Sequence, residues 1–577
     1  MMDLENEKID NLVARLDELV RWRPGGDGSY QDPNSALSRI QGKTNHVVMG
    51  RRGSGKTRLL SELSREAEEK DVLVIKFGVE EAKELAYPDI LIQILRSFVE
   101  SFHSRLTEKP DLLTKDWFLG YSQKVTHPVN EYIKGKKRKE LLPKVEKLRD
   151  RLNALLEESD EIDAEYQRSE SGEKSEELGI GGGVEKSGKD ARFNRTTREM
   201  SSESRTSLAR QKENKKEKVE RLLLDFKDLM EGVAEHFGSC IFFVVDDFYF
   251  IRRIDQPPVI DYIHRICKDS SSFLKIATIR HRSQLYEEKD LRRGVVAGHE
   301  AQVVDLELPL GRLDSINRFL KALWRGVCEE VGIEDPESIF KGQGFEQAVL
   351  ASGGVPRDFF GVVKTSISIS RERNEDSVGK MRVNEAAQQY AEDTKMPELQ
   401  VDTEEGSGVE RELRDLMLFD IVRFCRDIKK KNCFHINKDA LDAEPGIKRL
   451  VDLLVDARLI HLITDNTSNS KRAGRYSAYF LDVGLYAHPQ RRGENSIDEV
   501  AFWVRDDAGR LKNLERSPVY QPRKYGQLEE LARRVRDKEV DLKDAILSGS
   551  IDMSDTDGKT QDMIDQLKLE MPVTTDE

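Results

Sequence analysis

Five short apolar runs stand out from an otherwise polar chain: the one entering at His46, then Asp71–Phe77, Cys240–Ile251, Phe273–Ser283 and Ala301–Leu308. Runs of this kind predict strands of a parallel sheet, covered on both faces. The segments between them read differently. TRLLSELSREAEEK, PDILIQILRSFVESF and DSINRFLKALW place apolar residues at helical spacing, which makes this part of the chain α/β. The opening stretch, MMDLENEKIDNLVARL, reads as an acidic amphipathic helix and not as a secretory signal, and no run is long enough to span a membrane. A cytoplasmic protein is expected.

A crossover between parallel strands takes about 30 residues, but about 160 separate the strand ending near Val79 from the one beginning at Cys240. An insertion fills the gap. Its outgoing half places Val145, Leu148, Leu152, Leu155 and Ile162 on one seam of a charged helix, and its return half does the same with Val219, Leu222, Phe226, Leu229 and Val233. The two halves predict a helical hairpin. Between them lies a tip rich in glycine, serine and arginine, too polar for a core. It carries Lys186, Lys189, Arg192, Arg195, Arg198, Arg205 and Arg210, with acids interspersed and Phe193 as its one aromatic residue. Three readings stay open for it: contact with a nucleic-acid backbone, contact with a protein partner, or a solvated tip without a direct role.

Further on, LRDLMLFDIVRFC predicts an apolar-faced helix and INKDALDAEPGIKRLVDLLVDARLI two short helices. HLITDNTSNSKRAGRYSAYFLDVGLYA then predicts a strand, a polar turn and a strand. Three helices followed by a hairpin is the winged-helix order. Lys448, Arg449, Lys471, Arg472 and Arg475 are its candidates for DNA phosphates, although Asp452 and Asp456 on the same helix oppose that contact. From Ile551 onward eight acids face two lysines, which predicts a solvated tail with Met563, Ile564, Leu567 and Met571 as a short docking helix at most.

Composition narrows the functional classes. A chain of 577 residues exceeds one domain of ~100 to 200 residues. Hydrophobic residues make up 37% and charged residues 35%, and the net charge of -13 argues against a surface coated throughout by nucleic acid while leaving local basic patches. The five cysteines form no C-x-x-C pair and the ten histidines no His-Glu-x-x-His spacing, so neither a zinc module nor a second enzymatic domain is visible.

The chemistry concentrates where the first strand ends. HVVMGRRGSGKTRLL meets the pattern G-x-x-x-x-G-K-[ST] through Gly50, Gly53, Gly55, Lys56 and Thr57. Glycines at these positions let successive backbone N–H groups turn toward a phosphate chain, the lysine reaches β- and γ-oxygens, and the threonine hydroxyl ligates Mg²⁺. The helix that follows points its N-terminal dipole at the same anion. Arg51, Arg52, Ser54 and Arg58 complete the candidate cradle. The run VVDD ends a strand at Asp246 and Asp247, where open α/β sheets bind ligands. Asp246 is placed to hold Mg²⁺ and Asp247 to orient or deprotonate the attacking water. Thr278 and Arg280 end another strand as candidate sensors of the γ-phosphate, the basic pair Arg292 and Arg293 precedes the last strand, and GGVPR at Gly353–Arg357 breaks one helix and starts the next.

Taken in this order, the Walker A loop Gly50–Thr57, VVDD at Val244–Asp247, ATIR at Ala277–Arg280 and GGVPR at Gly353–Arg357 resemble AAA+ and STAND ATPases, especially their origin-initiator-like branch. The resemblance covers roughly residues 40 to 490. It implies a P-loop NTPase sheet with a helical lid and a winged-helix domain, to which the spacing and seams above add the long helical-hairpin insertion, an α/β fold throughout. It also implies ATP and Mg²⁺ as cofactors, Thr278 or Arg280 as sensor one, Arg357 with Pro356 as the sensor-two element, and Arg292 or Arg293 as a finger for a neighbouring subunit. The chain departs from AAA+ motors in carrying Asp-Asp where they carry Asp-Glu. Aspartate is one methylene shorter, which favours slow hydrolysis and a switch.

The expected organisation is an N-terminal helix and linker at 1–40, the ATPase core at 41–130 and 208–310, the arm at 131–207, the lid at 311–400, the winged helix at 409–488 and an extension with an acidic tail at 489–577. The leading expectation is a Mg-ATP-dependent switch that assembles as a homo-oligomer or controls an effector protein. The alternative is a DNA-binding initiator, loader or transposition-type ATPase that grips DNA through the arm, at Lys186, Arg192 and Arg195, and the wing, at Lys471, Arg472 and Arg475. Similarity to bacterial conflict and defence ATPases extends the implication to an antiviral setting, on which no residue bears.

Overall fold

The computed structural model describes residues 4–21, 30–70, 72–107, 138–158, 215–288, 292–401, 408–487 and 513–536. The chain divides into two compact units, one of residues 1–33, 50–55 and 306–577, the other of residues 34–49 and 56–305.

The second unit holds the nucleotide-fold sheet. Its strands are β1 (His46–Met49), β2 (Leu73–Gly78), β3 (Ile241–Asp246), β4 (Ser272–Thr278), a separate antiparallel pair β5 (Tyr286–Glu288) and β6 (Arg292–Gly294), and β7 (Gln302–Asp305). The main sheet is parallel throughout, in the order β2-β3-β4-β1-β7. The inner strands β1, β3 and β4 are buried almost without interruption, the reason the sequence shows runs and not alternation there, whereas the edge strand β7 buries only Val304. Register brings Met49 level with Thr278 on one side and Asp305 on the other, so polar residues cluster at one end of the sheet. At the opposite end Lys275, fully buried, donates to the carbonyls of Gly42 (2.6 Å) and Thr44 (2.8 Å), fastening the chain that enters β1. Burial pushes this amine down to about 7.

The base of the insertion is part of this core. Helix 138–158 and the helix ending as Leu223–Phe237 run antiparallel, as the ion pairs Arg151–Asp225 and Lys218–Glu158 require. Val145, Leu148, Leu152 and Leu155 are buried with Val219, Leu222, Phe226, Leu229 and Val233, in one cluster with the sheet residues Phe243 and Ile276. Tyr262 Oη donates to the Val219 carbonyl, tying the return helix to helix Gln256–Cys267. Ile162, the basic tip from Lys186 to Arg210 and the acidic tail lie outside the described residues.

In the first unit, helices Leu313–Glu330, Gly344–Ala351, Pro356–Glu372 and Lys380–Tyr390 form the lid. The N-terminal helix Glu7–Val20 packs on them, its buried Ile9, Leu12 and Leu16 facing inward while Asp10 pairs with Arg371 and Asp17 with Lys364. The winged helix follows as helix Gly408–Arg423, β8 (Cys433–Asn437), helices Lys438–Ala443 and Pro445–Asp456, then β9 (Ile460–Thr467) and β10 (Tyr476–Leu481). Sequence pattern finds the helices and the hairpin but not β8, whose five residues lie hidden between two helical segments. It also misses β11 (Val519–Tyr520), which joins the edge of this sheet beside β8 in the order β11-β8-β10-β9. A strand of two residues is too short to leave a period. Tyr520 packs against Phe434 and Phe424, and its hydroxyl donates to Asp420.

All five cysteines are buried as thiols, none of them in a disulfide. Three histidines, His46, His435 and His461, are buried as well, and burial pushes each down to about 4 from the ordinary 6.5. A group that binds its proton less readily when folded gives stability that is full above pH 6.5 and drains as the pH falls toward 4. Each ring is worth roughly 2 to 3 kcal/mol across that window. Urea unfolding at a series of pH values is expected to show stability falling through it. A flat profile between the two values would mean that the rings are not held neutral.

Candidate functional site

The glycine loop is built as its residue types demand. Gly53 and Gly55 have φ of +81° and +93°, in the left-handed region that glycine alone adopts without strain. Gly50 is needed for space, because a Cβ there would run into the Ser54 hydroxyl. Residues Gly50–Gly55 belong to the first unit, and Lys56 begins the helix Lys56–Glu69 of the second.

In the second unit Lys56 is buried, with its ammonium 5.8 Å from the Tyr249 ring centre, and Thr57 is half-buried in the first helical turn. Asp246 is the buried last residue of β3, and its Oδ1 accepts from the backbone N–H of Asp247 (2.9 Å). Asp247 is half-buried and lies at φ +54°, so the chain turns sharply after Asp246. That φ strains a residue other than glycine. Sequence pattern does not single out Lys76. It stands on β2 level with Val244, donates to Ser61 Oγ at 3.2 Å, and is pushed below the ordinary lysine value by burial, against the attraction of Asp246 and Asp247. A lone lysine in the apolar run LVIKF was the available signal.

Thr278 is fully buried at the end of β4, beside the end of β1, and its hydroxyl bonds Ser283 Oγ. Arg280 lies just beyond and pairs with Asp305 at the end of β7. Since β4 and β7 flank β1, this ion pair crosses the end of β1. Arg292 and Arg293 both lie on β6. Arg292 is exposed and paired with Glu288, and Arg293 is half-buried.

In the first unit the loop touches the residues that GGVPR supplies. The N–H of Arg357 donates to the Gly53 carbonyl at 3.4 Å, and a Cβ on Gly53 would lie 2.8 Å from that of Arg357. Pro356 opens helix Pro356–Glu372, and the Arg357 side chain is a third exposed, 3.7 Å from Glu398. Arg51 is buried and paired with Glu307. Gly353 has φ +57°, and a Cβ there would overlap the His461 ring. Gly353→Ala is therefore expected to cost roughly 2 to 4 kcal/mol from backbone strain plus overpacking. An unchanged melting temperature would show that the ring can move aside. On the wing, Lys471 and Arg475 are exposed and Arg472 half-buried in the turn between β9 and β10, with Arg475 3.7 Å from Asp439.

A parallel sheet that inserts β4 between the loop-bearing and aspartate-bearing strands, with a helical lid and a winged helix, defines an AAA+-type fold. The family model described as ORC-CDC6-like matches residues 28–343, more than half of the chain, and the chain belongs to that family, whose members are origin-initiator-like ATPases. Among solved structures, the ORC1 protein of Aeropyrum pernix in complex with DNA is 11% identical, with a TM-score of 0.33 over 81% of this chain and 92% of that one. The ORC2 protein of the same organism, in ADPNP-ADP complexes, is 11% identical, with a TM-score of 0.32 over 83% and 89%. Drosophila ORC bound to DNA is 11% identical, with a TM-score of 0.32 over 88% and 94%. No curated protein matches the chain. Among the described residues no helix is long and apolar enough to cross a membrane.

Proposed function

We propose that the chain binds Mg-ATP at Gly50–Thr57, hydrolyses it slowly, and uses the nucleotide state as a switch over a protein partner or a further copy of itself. The observation that carries the reading is the loop: two glycines with positive φ ahead of a buried lysine at a helix start, in a chain of this family. The donor set suits Mg²⁺, a hard cation that takes oxygen ligands. Thr57 offers a hydroxyl and Asp246 a carboxylate at a strand end, and among the described residues no competing cluster of histidine, cysteine or carboxylates is built for a metal. Bound ATP supplies the phosphoryl group. Lys56 neutralises the β- and γ-phosphates, Asp247 orients and deprotonates the attacking water, and Thr278 with Arg280 reads the γ-phosphate end. Arg357 serves as the second sensor, Arg51, Arg52, Ser54, Arg58 and Pro356 frame the cradle, and Arg292 or Arg293 reaches a neighbouring subunit. Slow turnover that accelerates on adding a partner or on self-assembly is the expected result in an ATPase assay. Fast turnover by the isolated chain would count against a switch.

Family membership and the exposed wing turn favour a second reading, in which the switch acts on DNA. Combined replacement of Lys471, Arg472 and Arg475 by alanine is then expected to weaken duplex binding. It should also flatten the plot of log K against log salt by roughly 0.9 for each phosphate that is no longer neutralised. Deletion of Lys186–Arg210 tests the arm in the same titration. Duplex affinity that neither change alters would leave the partner-protein reading alone.

A further inference from the structure

Two residues of the winged helix hold the glycine loop itself. Arg51 Nη1 lies 3.1 Å from His461 Nδ1, and Arg458 Nη1 donates to the Arg52 carbonyl at 3.0 Å. Both are wholly buried: His461 is 0% and Arg458 1% exposed. A guanidinium can only donate, so His461 Nδ1 is the acceptor, and the ring proton resides on Nε2, which donates to Asp482 Oδ2 at 2.8 Å. Both ring nitrogens are thus committed to protein groups, and the ring serves as a strut with a fixed donor-to-acceptor direction. Asp482 passes the chain on to Lys395 (2.6 Å), at the end of the helical turn Ala391–Lys395, which helix Met396–Val401 continues.

The second strut has the same form. Arg458 sits at φ +61° in the turn before β9, and besides the Arg52 carbonyl it meets Asp358, 3.4 Å away, and Glu398. Asp358 and Glu398 lie on lid helices, and Asp358 also faces Lys395 at 3.6 Å. The lid closes the gap from the other side, because the Gly353 carbonyl accepts from Arg51 Nη2 (3.3 Å) and that glycine alone leaves room for His461.

Burying this many charges is a poor route to stability, since desolvation offsets most of the attraction. Such a network fixes one arrangement among several, and here the element fixed is the loop whose N–H groups must turn toward a phosphate. With the Arg52 carbonyl held by Arg458, the Gly53 N–H of the same trans peptide is set facing the opposite way, while the Ser54 N–H closes the turn onto the Arg51 carbonyl (3.2 Å). We propose that the winged helix regulates the nucleotide site by clasping the glycine loop through His461 and Arg458, so that docking of the wing and binding of nucleotide strengthen each other. The inference rests on the reading of Gly50–Thr57 as a phosphate loop. Coupling of this kind is reciprocal, each event favouring the other by the same factor.

Hydrogen exchange of β9 and β10 in the full chain, with and without Mg-ADP or Mg-ATP, tests the proposal beside nucleotide affinity by titration calorimetry. In the wild type, nucleotide is expected to slow exchange across residues 460–467 and 476–481. His461→Ala is expected to weaken nucleotide binding by about 5- to 150-fold and to erase that slowing, with His461→Gln, which keeps one donor and one acceptor, restoring part of both. Because His461→Ala leaves Asp482 and Lys395 buried without their neighbour, Arg458→Lys provides the second measurement. It keeps the charge near Asp358 and Glu398 but falls short of the Arg52 carbonyl, and it should act in the same direction in a chain whose melting confirms folding. Wild-type chain that binds nucleotide without any change in wing exchange, or folded variants of unchanged affinity, would overturn the clasp alone. Wild-type chain that binds no nucleotide would overturn the loop reading and the clasp with it.

Discussion

Lys56→Ala is expected to weaken ATP binding by at least ~100-fold. On the proposed reading the ammonium is the fixed charge that meets the β- and γ-phosphates, and a charge-assisted hydrogen bond to each is worth roughly 1.5 to 3 kcal/mol. Losing two such bonds removes about 3 kcal/mol at the least, and every 1.4 kcal/mol is tenfold in affinity. The lysine is buried at the start of its helix, so no neighbouring solvent cation takes over its place. Titration calorimetry with Mg-ATP is the measurement. Affinity equal to that of the wild type would mean that the glycine loop holds something other than a phosphate chain. Thr57→Ala and Asp246→Asn are expected to act through the metal, so their effect should shrink when Mg²⁺ is left out, whereas that of Lys56→Ala should persist.

Asp247→Asn is expected to leave ATP bound and to slow its hydrolysis by ~10²- to 10⁴-fold, the usual contribution of a positioned general base. The amide preserves the shape of the side chain and its place at φ +54°, so folding should be unaffected. Single-turnover kinetics separate this step from binding and product release. Turnover that is unaltered would move the base to another residue. Asp246→Asn at the adjacent position should instead raise the Mg²⁺ requirement, because on the proposed reading its carboxylate is the group offered to the metal.

The elements that sequence pattern recovers are those with a strong local signature. The inner strands β1, β3 and β4 show as apolar runs because both sheet faces are covered, and the insertion's seam shows because Val145 to Leu155 and Val219 to Val233 each pack against a partner helix. Glycine, lysine and aspartate at the loop and strand end are legible because the pattern G-x-x-x-x-G-K-[ST] and a pair of aspartates closing an apolar run are local signatures. What stays invisible is what depends on distant chain. β8 is hidden between two helical segments and is held by β10 about 40 residues on, and β11 is too short to show a period and pairs across more than 80 residues, Val519 opposite His435. Arg51 reads from sequence as one more basic residue of the loop, and only folding sets it against His461, 410 positions away. The second glycine of the GGVPR element reads as a helix breaker, whereas the first is also a space requirement set by a histidine ring on another domain.

The five buried cysteines make the chain well suited to site-specific spectroscopy. Burial pushes the thiols of Cys267, Cys328 and Cys425 up, which lowers the thiolate fraction that reacts with maleimides and leaves the native chain a quiet background. A cysteine introduced at exposed Lys471, in the turn of the wing, would react far faster than any native thiol and carry a fluorophore without prior removal of the others. Dye rotation at that position, followed during a single round of nucleotide exchange, would time the wing's response in the unmodified native background.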